Sequence, residues 1–266
     1  MEQSDNHKAL VLTIGLAIQN CKVLRVKMLE YCKIENKSHR SNLLMDFVRR
    51  IHANLYSVAI LSRESIKHGD STMLKLPMGL ILRNCFMDSL YAIYLSSLDE
   101  AQFEEEVIVL NKDYAFSLPS RKEVWVDKAQ EIGIEGLEYW YDDMIVDHFN
   151  QYLKEYNIEP DFEWNYKFLQ NSDIRESQAK NRISIDSESR KLMKHEKFGP
   201  IVKSIFSYYK YFSQYEHFSE HAHGDTLAPF YQDNVSFPAA IKALNRGVRT
   251  ILEQVDIRIC LHDKIQ

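Results

Sequence analysis

The sequence predicts an all-α protein folded as a helical bundle, and three observations predict it. Apolar residues recur with the 3.6-residue helical period along most of the chain, and few windows alternate as strands do. Gly and Pro are scarce, at 8 and 6 of 266 residues, which argues against a turn-rich β fold and against disorder. One segment, about 78–97, is apolar on every side, as expected of a helix buried at the centre of a bundle.

The first helix is expected from about Asn6 to Cys32, with Leu10, Ile14, Ala17, Ile18, Cys21, Leu24 and Met28 on one face. After a polar link, Glu35–Arg40, Ser41 is suited to cap a second helix. Its core positions are Leu44, Phe47, Val48, Ile51, Leu55, Val58 and Leu61, and His68 with Gly69 should end it. Pro77 suits the start of the central helix, which carries Leu80, Leu82, Cys85, Phe86, Leu90 and Ile93. Acidic helices are expected around 99–116, 121–132 and 134–156, closed by Pro160. Residues 161–197 read as a polar excursion with short helices. Pro200 should start a Tyr/His-rich helix that Gly224 ends. Ser236, Phe237 and Pro238 mark a cap and first turn of a last helix, to about His262. The expected organisation is a single helical domain, 1–266, in which 99–197 forms a helical insertion or arm.

A net charge of −5 hides segregation. Residues 1–98 carry 13 basic and 8 acidic side chains, 99–163 carry 5 and 18, and 164–210 carry 10 and 5. The 99–163 segment is either a solvated acidic face or a surface for a protein partner. The four cysteines, Cys21, Cys32, Cys85 and Cys260, form no CxxC pair and lie among apolar residues. They read as core thiols of a cytoplasmic protein. No basic n-region or cleavage site marks a signal peptide. The apolar window Leu76–Leu95 contains Arg83, Asn84 and Asp88, and Arg or Asp at a bilayer centre costs roughly 2.5–3.5 kcal/mol. No membrane association is expected.

The chemistry concentrates in Tyr208–Asp225, YYKYFSQYEHFSEHAHGD. Wrapped as a helix, it places Tyr215, Ser219 and His223 on the apolar face, where polar groups need partners. On the central helix, Asn84 and Asp88 share a face, and Arg83 projects away from Asp88. A buried arginine requires a partner from another helix. Two readings follow. In one, these groups form a satisfied polar network that fixes helix register. In the other, His223 is the acid/base, Arg83 an anion clamp and Asp88 the group that orients the imidazole, with Tyr215, Ser219 and Asn84 contacting substrate.

His217, Glu220 and His221 have H-x-x-E-H spacing, found in some zinc proteases. Both histidines fall beside Lys210, opposite Tyr215 and Ser219, so no metal site is expected; nor is a cofactor. Arg63-x4-His68 and Arg190-x4-His195 match the R-x4-6-H spacing of metal-independent HEPN ribonucleases. With 13 arginines and 10 histidines, such matches arise by chance.

The central helix from Leu80 to Tyr91, with Arg83 and Asp88, and the later Tyr215-x3-Ser219-x3-His223 together resemble a set of uncharacterised bacterial all-helical proteins, distantly HEPN-like. These carry an Arg-x3-Glu helix and then a Tyr-x3-Ser-x3-His helix. The second motif matches in full; in the first, Met87 stands at the acidic position and Asp88 follows it. The resemblance implies a helical bundle and a defence- or toxin-associated protein, without itself supplying an activity. The first expectation for function, argued from His223, Arg83, Tyr215 and Ser219, is a HEPN-like metal-independent ribonuclease or nucleotide-cleaving effector. The expected partners are then RNA or a nucleotide, with a homodimer as a possible assembly. The alternative is a non-enzymatic binding or regulatory module whose polar core is structural.

Overall fold

The computed structural model describes residues 2–34, 39–68, 75–103, 105–106, 126–135, 185–221 and 236–262. Among the described residues there are helices and no strand, and an all-α helical bundle is what they form. The helices are α1 (Glu2–Ile34), α2 (His39–His68), α3 (Lys75–Ser97), α4 (Lys128–Glu131), α5 (Ile185–Leu192), α6 (Gly199–His221) and α7 (Phe237–His262).

The chain divides into two compact units, Met1–Asp99 with Ile185–Gln266, and Glu100–Ser184. In the second unit, Phe103 and Val126 are buried. Gly133, at φ +84°, closes the turn after α4 by donating its N–H to the Gln130 carbonyl at 3.0 Å.

In the first unit α1 packs on α2 and α7, and α3 packs on α2, α5, α6 and α7. The expected α1 face is the buried one: Leu10, Ile14, Ala17, Cys21, Leu24 and Met28. Ile18, at its edge, is only half-buried. α2 begins at His39, two residues before Ser41, because Arg40 is already wound into the bundle and fully buried. α3 begins at Lys75, so Pro77 falls in its first turn, where the missing N–H costs no helical bond. At α7 the Ser236 hydroxyl accepts the Ala239 N–H at 3.3 Å, the N-cap its sequence announced.

α3 is the centre of the bundle. Phe86 stacks on Tyr208 and Phe212 of α6, and Phe212 meets Phe237 of α7, so one aromatic layer joins three helices. One strip of α3 reaches solvent: Leu80, Met87 and Tyr91 are half-buried and Asn84 is exposed. The C-terminus of α3 is closed by guanidinium groups. Arg258 of α7 donates to the Ser96 and Leu98 carbonyls at 2.9 and 2.7 Å, and Arg40 of α2 donates to the Asp99 carbonyl at 2.6 Å. The Ser96 carbonyl is one that a helix end leaves without an intrahelical donor, and those of Leu98 and Asp99 follow just beyond it at the negative pole of α3.

Gly247 marks the crossing of α7 over α3 and α6. A Cβ there would stand 2.5 Å from the Ser89 hydroxyl and 2.6 Å from Ile205 Cδ1. A larger residue there would have to displace the Ser89 hydroxyl and the Ile205 terminal methyl.

Among the described residues one helix is long and apolar enough to cross a membrane. It is α1, over Lys8–Lys33, rather than the α3 segment singled out in the sequence.

Candidate functional site

The polar groups of α3 divide between its two neighbours. On the α2 side, Arg50 donates from Nε to Asp88 Oδ2 at 3.1 Å and from a terminal nitrogen to Asp88 Oδ1 at 2.8 Å. This two-point fork occupies both carboxylate oxygens. The Asp88 side chain is 5% exposed and that of Arg50 52%, so the acid lies inside and the base reaches in from the rim. The Arg50 guanidinium also sits 4.6 Å from the Phe47 ring, and Phe47 stacks on Tyr91 of α3.

Burial raises the Asp88 carboxyl above its ordinary value of 3.8, and the Arg50 hydrogen bonds and charge pull it partly back. Neighbouring Cys85 is pushed well up by burial, and Cys21 to about 12, so both thiols stay protonated and are not nucleophiles.

On the α6 side, half-buried Arg83 donates to Asn84 Oδ1 at 3.2 Å, and its guanidinium lies 5.9 Å from the Tyr209 ring. Arg83 is level with Tyr209, while Ser89 and Ile205 meet at Gly247, so α3 and α6 run antiparallel. Tyr215 therefore lies beyond Tyr209 toward the α3 N-terminus, about 9 Å further along at a rise of 1.5 Å per residue. Ser219 is on α6 about 21 Å along the axis from the level of Ile205, near which Asp88 lies. The helices thus carry Arg83 and the start of the Tyr-x3-Ser stripe in one direction and Asp88 in the other. The side chains of Tyr215, Ser219, His217, Glu220 and His221, and all of His223, fall outside the described residues.

Arg50 is the residue the sequence did not single out. The signal was indirect: an aspartate inside an apolar helix calls for a cation, and several arginines of α2 could supply it.

Arg190-x4-His195 lies at the end of α5 and the turn after it. The His195 Nδ1 accepts the backbone N–H groups of Lys197 and Phe198 at 3.2 and 3.4 Å, and its ring stacks on Phe198 at 4.3 Å. That histidine shapes the turn into α6. A separate polar contact joins α1 to α2: Arg25 donates to His52 Nδ1 at 3.1 Å. Burial first, then the charges of Arg25 and Lys22, lower the His52 pKa. Among the described residues no group of three or more His, Cys, Asp or Glu side chains is placed to hold a metal ion.

Compared with known proteins, the chain matches no family model, no curated protein and no solved structure.

Proposed function

We propose that this chain is a helical binding or regulatory module whose polar core is architectural. The Arg50–Asp88 fork carries this reading. It commits the acidic group of α3 to tying two helices together, which supports an architectural role for Asp88. The acidic 99–163 segment, with 18 acidic and 5 basic residues, is then the working surface, suited to a basic protein partner. The free thiols fit a reducing, cytoplasmic setting. Reversing exposed Glu105, Glu131 and Glu135 to lysine should abolish partner recovery in a pull-down while leaving the thermal melt unchanged. Recovery unaffected by this reversal, and by further reversals across 99–163, sinks the reading.

A metal-independent ribonuclease or nucleotide-cleaving activity is the second reading. What favours it is Arg83, half-buried over Tyr209 on the helix pair that leads toward Tyr215. There Arg83 would stabilise phosphorane charge, Tyr215, Ser219 and Asn84 would bind phosphate, and His223 would move the proton. RNA cleavage in EDTA that disappears in His223→Ala would select this reading over the first.

A further inference from the structure

The outward face of α1 is largely apolar, with Lys8, Gln19, Lys22 and Glu30 among its exposed polar residues and Glu30 also paired with Lys27 of its own helix at 3.1 Å. Val11, Leu12, Leu16, Val23, Val26 and Leu29 are 40–66% exposed on the side opposite the core face. Tyr56 and Ile60 of α2 are exposed as well. They lie on the flank of α2 nearest α1, where His52 meets both Arg25 and the Tyr56 ring. Surface apolar residues scattered singly need no explanation, but a contiguous face does.

The pattern on this face selects its occupant. Lys8, Leu12, Gly15, Gln19, Val23, Val26 and Glu30 are all exposed, and on a helical wheel they form one seam. Positions four, seven and eleven residues either side of Gln19 share its face in any helix; what is particular here is which residues occupy them, a base and an acid at the two ends and apolar residues between. Gln19 is the centre. If a second α1 lies antiparallel across a twofold axis at Gln19, Lys8 meets Glu30 of the other copy. Leu12 meets Val26, Gly15 meets Val23, and the two Gln19 amides meet each other. Unlike charges therefore pair at both ends, apolar residues pair between them, and one polar pair fixes the register. A twofold contact is isologous, and a seam symmetric about its centre satisfies that requirement with one helix.

Gly15 is an independent observation. Mid-helix glycine is unfavourable, and among the described residues nothing beyond its own helix backbone lies within 4 Å of where its Cβ would be. The protomer does not need a glycine there. An apposed helix does, because it lets the backbone opposite Val23 approach closely. Tyr56 and Ile60 of α2 extend the exposed apolar surface to one side of the α1 seam.

We infer that this face is the self-association surface of the protein: an antiparallel α1–α1 homodimer centred on Gln19. The inference is independent of either functional reading.

Sedimentation velocity of the full chain across a concentration series tests it. Wild type should be a dimer. Lys8→Glu and Glu30→Lys should each weaken the dimer about tenfold, since each replaces two attractive contacts by two repulsive ones. The double swap should return it to within about threefold of wild type. Gly15→Leu should keep its helical circular dichroism and become monomeric. Wild-type monomer at all concentrations overturns the inference, as does a dimer indifferent to Gly15→Leu. So does a double swap no better than the singles. Because α1 is also long and apolar enough to span a bilayer, the series is repeated with phosphatidylcholine/phosphatidylglycerol vesicles. A chain that is monomeric in solution and bound to vesicles overturns the inference in favour of a lipid surface.

Discussion

Removing the two ends of the Arg50–Asp88 fork should have unequal consequences. Arg50→Ala leaves a carboxylate that is 5% exposed without its two donors, whereas Asp88→Ala leaves a guanidinium that is already 52% exposed and can turn to water. Breaking a fully buried pair costs about 3–5 kcal/mol; the exposed side of Arg50 softens this, and about 2–4 kcal/mol is expected here. Protonation sets a ceiling, since neutralising a carboxyl of ordinary pKa 3.8 costs about 4 kcal/mol at pH 7. Asp88→Ala should cost about 1–2 kcal/mol. Chemical denaturation of both variants measures the difference. The pH dependence adds a signature. Asp88 has a raised pKa, so the folded state binds its proton more readily than the unfolded chain does. Stability from this group is greatest at acid pH and falls as pH rises from 3.8 through the raised value. In Arg50→Ala both lowering influences are gone, so the window extends upward. The deficit relative to wild type should therefore grow with pH and nearly vanish at its acid end. Equal losses in the two variants at neutral pH, or a pH-independent Arg50→Ala deficit, would refute the reasoning.

Gly247→Ala should destabilise by about 1–3 kcal/mol, because its Cβ would overlap Ser89 and Ile205; Ile205→Val in the same chain should recover part of that loss in a thermal melt. His52 has a lowered pKa and accepts from Arg25 as a neutral ring, so its contribution is present above about 6.5 and is lost as pH falls through the lowered value. His52→Gln should flatten that acid-side slope, and an unchanged slope removes His52 as its source. Arg258→Ala should cost about 1–3 kcal/mol by uncovering the Ser96 and Leu98 carbonyls, with hydrogen exchange faster at the end of α3 than at its start. In EDTA, Arg83→Gln and His223→Ala should leave any RNA turnover by the preparation unchanged if the core is architectural; loss in both variants transfers the conclusion to the ribonuclease.

The bundle was legible because each helix carries its own signal. The buried face of α1 follows from the spacing of Leu10, Ile14, Cys21 and Met28, and the start of α7 follows from Ser236. Both are local properties. The partner of Asp88 is not local. That it needs a cation follows from burial, but the choice among Arg40, Arg49, Arg50 and Arg63 depends on the axial register of α2 against α3, which no single-helix pattern encodes. Arg40 shows the difficulty: it too is buried, yet it serves the carbonyl of Asp99. The outer face of α1 escaped notice for another reason. Matching a 3.6 period rewards apolar residues on the core side and does not weigh those on the opposite side, so Leu12 and Val26 passed as ordinary helix.

Asp88 and Gly15 support two different kinds of conclusion because they answer opposite questions. Asp88 is a costly feature whose compensation is visible: the desolvated carboxylate has its fork in Arg50. Gly15 is a costly feature whose compensation is not visible, since among the described residues no neighbouring element comes within 4 Å of where its Cβ would be. A buried charge with a partner therefore points inward, to architecture. A helix-weakening glycine on an exposed apolar seam points outward, to a second surface. The seam of α1 is also self-complementary in residue type: basic Lys8 and acidic Glu30 occupy mirrored positions about Gln19, and so do apolar Leu12 and Val26. The unlike charges at the two ends of the seam are what turn an exposed apolar face into a statement about which molecule covers it.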